Sequence, residues 1–336
     1  MQSVTKLRYT HRPARRDDVE AAVELFNACS RHAFGRDHFT VNDIRSEWGT
    51  PGFDLASDTR LVFHRDQLVA YVEFWNLTAP YVRPGFWGRV HPEHRGQGIG
   101  RSLVDWAEER ATRSLPLAPA DAQVTLGQSV WEEDRGAQAL LIGREYTVAR
   151  RFYRMKTVFN GAIPEPAWPG GITVRTFDPE RDLEAVVRAV DDAFHDHWGH
   201  VEGPVEQRLP LWRQWIADDA EFDPKLWFLA VEGDEIVGVS LCRRADSEDP
   251  NQGWVNTLGV RRPWRRRGIA LALLHHSFRE LRKRGRSGAG LGVDATSLTG
   301  ANRVYARAGM SPERTSIALE KVLRPGVDLR RTSLCG

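Results

Sequence analysis

The sequence predicts an α/β (α+β) protein with two tandem domains, each built on a mixed sheet flanked by helices. The chain has 336 residues, which is more than one hydrophobic core usually organises. Strand, turn and helix signals alternate in both halves, as they do in domains of this class. The two halves also contain the same elements in the same order, which indicates a duplicated domain.

The first repeated element is an arginine followed by an amphipathic helix with acidic residues near its start. Arg12 precedes Asp18 in the first half, and Arg175 precedes Asp182 in the second. Acidic side chains stabilise a helix N-terminus because they lie at the positive end of the helix dipole. The pattern therefore predicts a helix that begins close to each of these aspartates.

The second repeated element is a β-hairpin. Residues 61–74 and 227–241 each contain two β-rich runs that flank a turn of charged or glycine residues, which is the signature of a hairpin. Asp66 and Asp234 lie in the matching turns. The number of residues between matching positions of the two halves grows only slightly along the chain. Small loop insertions in the second half account for this growth.

The third repeated element is a strand, a basic turn that contains glycine, and a helix, over residues 88–111 and 258–281. The motif residues are Arg95, Gly98 and Gly100 in R-x-x-G-x-G, and Arg265, Gly268 and Ala270 in R-x-x-G-x-A. Small residues at a strand-to-helix turn allow backbone N–H groups to point at one place, at the positive end of the helix dipole. Each turn is therefore predicted to be an anion cradle, suited to a pyrophosphate.

Prolines mark the boundary between the repeats. The segment 159–171 contains three prolines, which exclude a continuous helix or a central strand. We therefore expect a first domain over residues 1–158, a linker over 159–171, a second domain over 172–325 and a tail over 326–336.

The charge balance excludes a global attraction to nucleic acid or to an anionic membrane. The chain has 47 Lys and Arg against 45 Asp and Glu, a formal net charge of +2, which creates no long-range field. The basic segment around Trp264 has the mixture of arginine and aromatic residue that nucleic-acid sites use. The near-zero net charge argues against that alternative.

The cysteines and the apolar segments predict a cytoplasmic protein. Cys29, Cys242 and Cys335 lie far apart and form no Cys-x-x-Cys pair, so they predict neither a disulfide framework nor a zinc site. The N-terminal residues lack the apolar core of a signal peptide, and no segment has the roughly 20 apolar residues that cross a bilayer. We expect no membrane partner, and the sequence leaves the oligomeric state open.

These motifs resemble those of the Gcn5-related N-acetyltransferases (GNAT), whose signature Q/R-x-x-G-x-G/A begins the helix after the fourth strand. The resemblance implies two tandem GNAT domains, each with a mixed, mostly antiparallel sheet and a splayed notch for CoA. In this family the turn and helix start bind the CoA pyrophosphate, and the preceding strand binds the pantetheine through its backbone. The implied acetyl-CoA-binding residues are Leu258, Val260, Arg265, Arg266, Arg267, Gly268, Ile269, Ala270 and Ser297, and in the first half Val90, Arg95, Gly96, Gly98 and Gly100.

The resemblance assigns the chemistry mainly to the second half. Tyr305 precedes Gly309 by four residues, at the position where the family places a general acid for the departing thiolate. When Tyr146 is aligned with Met310, Leu141 lies where Tyr305 stands, and leucine cannot donate a proton. We therefore expect the first half to be a poor catalyst, which either binds CoA or only keeps the scaffold.

The general base is not assigned by the resemblance. Trp254 lies where many relatives have a glutamate base, and Ser297 lies where many have an asparagine that holds the pantetheine. One alternative is a residue that acts through a water. The other is the segment 193–206, where the family forms its acceptor pocket, with the candidates His195, His197, His200 and Glu202, although a polar surface loop would contain similar residues. Their spacing matches no zinc pattern, so we expect no metal. An acceptor pocket or the core would account for four nearby tryptophans, Trp198, Trp212, Trp215 and Trp227.

The resemblance implies an acetyl-CoA-dependent N-acetyltransferase that acts on the amine of a small molecule. The alternative is a non-catalytic acyl-CoA sensor or scaffold with two CoA notches. An aminoacyl transferase of the tandem peptidoglycan type is disfavoured, because the sequence lacks the long helical arm of those proteins. Antibiotics, amino sugars, polyamines, thiol precursors and protein N-termini all remain open as acceptors.

Overall fold

The described chain divides into two compact units, neither of which is one continuous segment. The computed structural model describes residues 9–332, so Cys335 lies outside the described residues. The first unit comprises residues up to Ala149, Arg213–Asp218 and Ala318–Leu329. The second comprises Arg150–Trp212, Asp219–Ile317 and the residues from Arg330 onward.

The first unit is a mixed sheet with helices against it. In chain order its elements are β1 (Thr10–Arg12), α1 (Val19–Phe34), α2 (Val41–Trp48), α3 (Leu55–Asp58), β2 (Thr59–His64), β3 (Gln67–Trp75), β4 (Gly85–Val90), α4 (Ile99–Ser114), β5 (Val124–Trp131) and α5 (Arg135–Ile142). The strand order is β1-β2-β3-β4-β5. The first three pairs are antiparallel, and β4 runs parallel to β5.

The second unit repeats this design. In chain order its elements are β6 (Thr147–Val158), β7 (Ile172–Thr176), α6 (Pro179–Phe194), α7 (Val205–Asp218), β8 (Phe222–Glu232), β9 (Glu235–Arg243), β10 (Gln252–Val260), α8 (Ile269–Lys283), β11 (Gly288–Asp294), α9 (Ala301–Arg307) and β12 (Ser311–Arg324). Three of these elements belong to it only in part: β6 from Arg150, α7 as far as Trp212 and β12 as far as Ile317. The strand order is β7-β8-β9-β10-β11-β6. Only the β10–β11 pair is parallel among these strands.

Part of the last strand of each repeat belongs to the unit of the other repeat. Strand β6 ends the first repeat, but its residues 152–158 pair with β11 of the second unit. Strand β12 ends the second repeat, but its residues from Ala318 belong to the first unit. The domain boundaries predicted from the sequence, at residues 158 and 172, follow the repeat. The compact units differ from those predicted domains by the exchanged strands.

The repeated sequence patterns form equivalent local structures. Arg12 pairs with Asp18 at 2.6 Å in the first unit, and Arg175 pairs with Asp182 at 2.5 Å in the second. The predicted hairpins are β2–β3 and β8–β9, both antiparallel. The α/β class and the tandem mixed sheets flanked by helices are thereby confirmed.

Each unit has its own apolar core. In the first unit, the core contains buried residues of α1, α2, β2 and β3, among them Phe26, Ile44, Trp48, Leu61 and Tyr71. In the second, residues of the sheet, α8 and α9 form the core, including Phe228, Val255, Leu273, Leu291 and Tyr305. Within residues 9–332, no helix has both the length and the apolar character that a bilayer crossing requires.

Candidate active site

The turn before α8 leaves the first N–H groups of that helix free. Arg266 and Gly268 have φ angles of 63° and 90°, in the left-handed region. The backbone bond from Ala272 N–H to the Gly268 carbonyl is 3.1 Å long, and within the described chain the N–H groups of residues 269–271 donate to no acceptor. A Cβ at Gly268 would meet no heavy atom within 4 Å. The turn is therefore an open row of donors at a helix N-terminus, which suits an anion.

The turn before α4 has the same construction. Gly96 and Gly98 have φ angles of 73° and 84°, and Ser102 N–H bonds to the Gly98 carbonyl at 3.2 Å. A Cβ at either glycine would meet open space, whereas one at Gly100 would lie 3.2 Å from Leu140 Cδ2. Both repeats thus retain the geometry of an anion cradle.

Strands β10 and β11 diverge next to the second cradle. They pair only at residues 252–254 of β10 and 288–290 of β11, so the part of β10 with Leu258 and Val260 has no partner on that side. The register between β10 and β9 shifts between Val255 and Thr257, which places a β-bulge at Asn256. Bulges redirect backbone groups and are frequent next to active sites.

The first unit has a notch without a bulge at the same place. Strands β4 and β5 pair at Gly85 and Gly127 only, so β4 is open as far as Val90. The register of β4 against β3 runs without interruption from Trp75 to Ala70. The backbone of β4 is therefore regular where β10 is distorted.

Tyr305 lies on α9 with its side chain buried, 7% exposed. It belongs to the same apolar core as Ile269, the first residue of α8, and Leu258 of β10 packs against that core. Burial raises the pKa of Tyr305 to about 12, and its hydroxyl has no hydrogen-bond partner among residues 9–332. Tyr305 is therefore a neutral phenol that can donate a proton.

Leu141 occupies the equivalent place in the first unit. The bond from Tyr146 N–H to the Leu141 carbonyl is 3.1 Å, and the bond from Met310 N–H to the Tyr305 carbonyl is 3.0 Å. Glu145 and Gly309, each one residue earlier than Tyr146 and Met310, both have positive φ angles, 69° and 83°. These matching contacts support the alignment of Leu141 with Tyr305.

A loop over residues 195–202, between α6 and α7, lies across the open end of the second notch; we call it the acceptor loop. At one side, Asp196 accepts a hydrogen bond of 2.6 Å from Arg265 of the cradle turn. At the other, the Trp198 ring centroid lies 5.0 Å from the guanidinium carbon of Arg150, which pairs with Asp294 at 3.4 Å. The loop therefore reaches from the cradle beside β10 to the end of β11.

The candidate base residues differ in their surroundings. Burial lowers the pKa of both His197 and His200, which keeps these imidazoles neutral near pH 7. His195 Nε2 lies 3.2 Å from Arg331 and 3.7 Å from Glu202. Because the His195 ring already contacts Arg331 and Glu202, the half-buried His197 and His200 are the better proton acceptors.

Arg331 contacts the acceptor loop, and the sequence did not indicate this contact. Its carbonyl accepts from Gly199 N–H at 2.7 Å, and its N–H donates to the His200 carbonyl at 2.9 Å. It lies in the segment that was predicted to be a tail, 136 residues from His195, and no local pattern marks such a pairing. The C-terminal segment thus holds the acceptor loop through main-chain and side-chain bonds.

The arginines of the second cradle are used in different ways. The Arg265 guanidinium bonds to Asp196, and that of Arg267 bonds to Glu232 at 2.9 Å. Arg266 is exposed and forms no ion pair within the described residues. The charge at Arg266 is therefore available to an anion.

Ser297 and Asn302 shape the segment after β11. Ser297 Oγ accepts from Ala301 N–H at 3.4 Å, at the start of α9. Asn302 donates to the carbonyls of Asp294 and Ala295 at 3.1 and 2.9 Å, and its side-chain oxygen is buried without a partner. Sequence reasoning overlooked Asn302, because a single asparagine in a short helix is not a distinctive signal.

Two of the four tryptophans, Trp212 and Trp227, pack against each other in the second unit. Trp227 is fully buried and its ring lies 4.7 Å from that of Phe177 and 5.9 Å from that of Trp212. Trp198 instead lies on the acceptor loop. The guanidinium carbon of Arg154 lies 4.5 Å from the centroid of the Trp254 ring.

Within residues 9–332, no cluster of three or more His, Cys, Asp or Glu is arranged to hold a metal ion.

Comparison with known proteins gives one consistent family. The model described as "Acetyltransferase (GNAT) family" matches residues 184–310, and the one described as "Acetyltransferase (GNAT) domain" matches residues 57–154. Mycothiol acetyltransferase from Streptomyces bingchenggensis is 33% identical over 255 residues, which cover 75% of this chain and 76% of that protein. The enzyme of the same name from Streptomyces coelicolor is 32% identical over 267 residues, 75% of each chain.

Solved structures share the whole fold. A GCN5-related N-acetyltransferase from Sphaerobacter thermophilus has a TM-score of 0.77 and 36% identity, and the match covers 98% of this chain and 99% of that one. A tandem GNAT protein from the clavulanic acid biosynthesis pathway has a TM-score of 0.69 at 16% identity, over 95% and 99% of the two chains. The second likeness concerns the fold alone.

Proposed function

This chain belongs to the GNAT acetyltransferase family and is an acyltransferase, and from that premise we propose that its second unit transfers an acetyl group from acetyl-CoA to the amine of a small molecule. The observation that supports the proposal most is the combination of an open cradle, a bulged and splayed β10 and the buried phenol of Tyr305 in one unit. The first unit has the cradle and a splayed β4, but its β4 has no bulge and Leu141 takes the place of Tyr305.

The cradle before α8 would hold the pyrophosphate of acetyl-CoA. The free N–H groups of residues 269–271 form the positive end of the helix dipole, and Arg266 adds an unpaired charge. The open side of β10, with Leu258 and Val260, offers backbone groups to the pantetheine. Ser297 and Asn302 lie at the far side of the notch, after β11.

The transfer requires a free amine, a polarised carbonyl and a proton for the sulfur. The acetyl thioester of the cosubstrate supplies the electrophile, and an N–C bond forms as the C–S bond breaks. His197 or His200, both neutral near pH 7, would take the proton of the amine. Backbone N–H groups at the Asn256 bulge would polarise the carbonyl, and Tyr305 would donate its proton to the departing thiolate.

The acceptor is proposed from the relatives. Several are named mycothiol acetyltransferase, so a mycothiol-related amine is the first acceptor to test. A second candidate function, an acyl-CoA sensor or scaffold with two notches, is favoured by the first unit, in which a cradle is combined with Leu141 and a regular β4.

Replacement of Tyr305 by phenylalanine tests the chemistry. We expect Tyr305→Phe to lower kcat by roughly 10²-fold, since general acid catalysis usually contributes at least that much, while the dissociation constant of acetyl-CoA in calorimetry stays unchanged. Unchanged turnover of the acceptor would falsify the role of Tyr305. Tight acetyl-CoA binding with no thiol release across a broad amine panel would instead support the sensor.

Replacement of Gly268 tests the cradle. Gly268→Val adds a Cβ at a φ angle of 90° where the anion would lie, so we expect acetyl-CoA binding to the second unit to be lost. Gly285→Val is the matched control, because Gly285 has a φ angle of 80° and similar open space but follows the other end of α8. Gly98→Val shows whether the first cradle also binds. Retained binding in a Gly268→Val, Gly98→Val double variant would refute the site assignment.

A further inference from the structure

Arg265 joins three parts of the second unit through one guanidinium. Its Nη1 donates to Asp196 Oδ2 at 2.6 Å, its Nη2 to the Ala193 carbonyl at 3.0 Å, and its Nε to the Val260 carbonyl at 3.1 Å. These acceptors lie on the acceptor loop, at the end of α6 and at the end of β10. The motif arginine therefore ties the cradle turn to the loop that covers the notch.

The Asp196 carboxylate is buried and held as an anion. The residue is 5% exposed, and Arg262 lies within 3.6 Å as a second cation. Burial alone would raise the pKa of Asp196, but the hydrogen bond and the charge of Arg265 outweigh it and lower the pKa. A buried carboxylate of this kind is costly to separate from its partner, so the link between loop and cradle is stiff.

The first unit lacks this link. Arg95, at the same motif position, keeps the bond from Nε to the strand carbonyl, Val90, at 3.5 Å, but within residues 9–332 it pairs with no carboxylate. The strand contact is common to both units, whereas the loop contact occurs only in the unit with Tyr305. The contact between the cradle arginine and the loop therefore occurs in the unit that is proposed to be catalytic, and a cradle alone does not require it.

We propose that Asp196 is a positioning residue that couples occupancy of the cradle before α8 to the conformation of the acceptor loop. The inference rests on the proposed function, because it requires the cradle to bind CoA. An anion on the N–H groups of residues 269–271 fixes the turn that begins at Arg265, and Arg265 fixes Asp196. His197, one of the two proposed bases, follows Asp196 in the chain, so it becomes ordered together with the cofactor.

Hydrogen exchange with and without coenzyme A tests the coupling without knowledge of the acceptor. In the wild-type protein we expect coenzyme A to slow amide exchange both in residues 266–271 and in residues 195–202, the latter by roughly tenfold, a typical coupling between sites. In Asp196→Asn the cradle should still be protected, but the loop should change by less than about twofold. Asp196→Glu should restore part of the loop protection.

Asp192→Asn is the matched control. Asp192 also lies near the end of α6 and pairs with an arginine before the cradle, Arg261, at 2.5 Å, but Arg261 keeps a second partner in Glu235. We expect this variant to behave as the wild type. With a known acceptor, Asp196→Asn should raise KM for that acceptor roughly tenfold while KM for acetyl-CoA changes little.

The possible results distinguish an error in the proposed cofactor site from an error in the proposed role of Asp196. If coenzyme A fails to protect residues 266–271 of the wild type, the proposed cofactor site is wrong. If the cradle is protected and the loop of Asp196→Asn responds as in the wild type, only the coupling role of Asp196 is wrong. Should Asp196→Asn fail to fold, Arg265→Lys is measured instead, since lysine keeps the charge and loses the three-way bonding; an unchanged loop response in that variant also overturns the role.

Discussion

Glu73 is a carboxyl group enclosed in the first unit. It is 1% exposed on β3, where its side chain accepts from the Tyr71 hydroxyl at 2.6 Å and from Trp75 Nε1 at 2.8 Å. Burial and the neighbouring Glu47 raise the pKa of Glu73 well above its usual value. The folded protein therefore binds this proton more tightly than the unfolded chain does.

When folding raises the pKa of a carboxyl group, the free energy of unfolding decreases as the pH rises. The contribution of Glu73 is fully present below its unfolded pKa, and it is lost as the pH rises through the folded pKa. We expect Glu73→Gln, which stays neutral and keeps hydrogen-bonding groups, to raise the free energy of unfolding at about pH 8, because the folded variant does not have to bury a carboxylate. Thermal melting between pH 5 and about pH 8 measures this.

The exposed Glu133 provides the control for that measurement. Glu133→Gln should leave the pH dependence of melting as in the wild type, while Glu73→Gln should flatten it. A lower melting temperature of Glu73→Gln at pH 8 would contradict the account, because it would mean that the ionised carboxylate stabilises the fold.

Single residues of the site were predictable only where a local pattern marks them. The turns at Gly98 and Gly268 were predicted, because small residues between a strand and a helix allow backbone N–H groups to point at one place. Asp196 was not, since its partner Arg265 lies 69 residues away and an aspartate between histidines resembles a surface loop. Long-range ion pairs depend on the tertiary arrangement, which the local sequence does not contain.

At the scale of elements, α6 approaches β10 through a glycine. A Cβ at Gly259 would lie 2.9 Å from Ala193 Cβ and 3.0 Å from Phe194 Cε2, so any side chain there pushes the end of α6 away from the strand. The acceptor loop begins directly after α6. The packing of this helix on β10 therefore sets where the loop starts.

Gly259→Ala tests the importance of that contact. We expect it to destabilise the protein by roughly 1–3 kcal/mol, the usual cost of overpacking, and to reduce acetyl transfer by displacing the acceptor loop. Gly292→Ala on β11 is the control, because a Cβ at Gly292 would meet nothing within 4 Å. Equal melting temperatures and activities in the two variants would show that α6 shifts without consequence.

Elements were predicted better than their irregularities. The hairpins, the helices after each cradle and the proline-rich break follow from hydrophobic periodicity and from turn residues. The bulge at Asn256 does not, because one additional residue in a strand leaves the apolar pattern almost unchanged. The divergence of β10 from β11 is also a tertiary feature, and only the family resemblance suggested it.

At the scale of the whole molecule, the exchanged strands determine which fragments can fold. Met155 of β6 is 3% exposed in the core of the second unit, and residues 152–158 pair with the edge of β11. A chain that starts at residue 159 lacks both, and leaves a strand edge and apolar surface exposed.

We expect fragment 150–336 to be monomeric and to melt cooperatively, and fragment 159–336 to aggregate or to melt at a lower temperature. Size-exclusion chromatography and circular dichroism compare the two, which differ only by nine residues of one strand. Identical behaviour of the fragments would show that β6 contributes nothing to the second unit.

The exchange of final strands also constrains how the gene can change. In a simple head-to-tail duplication, one deletion removes a superfluous copy and leaves the other intact. Here, deletion of the first repeat removes β6 from the second unit, and deletion of the second repeat removes the end of β12 from the first. Because each unit needs a strand from the other repeat in order to fold, natural selection retains both repeats even when only one of them is selected for its chemistry.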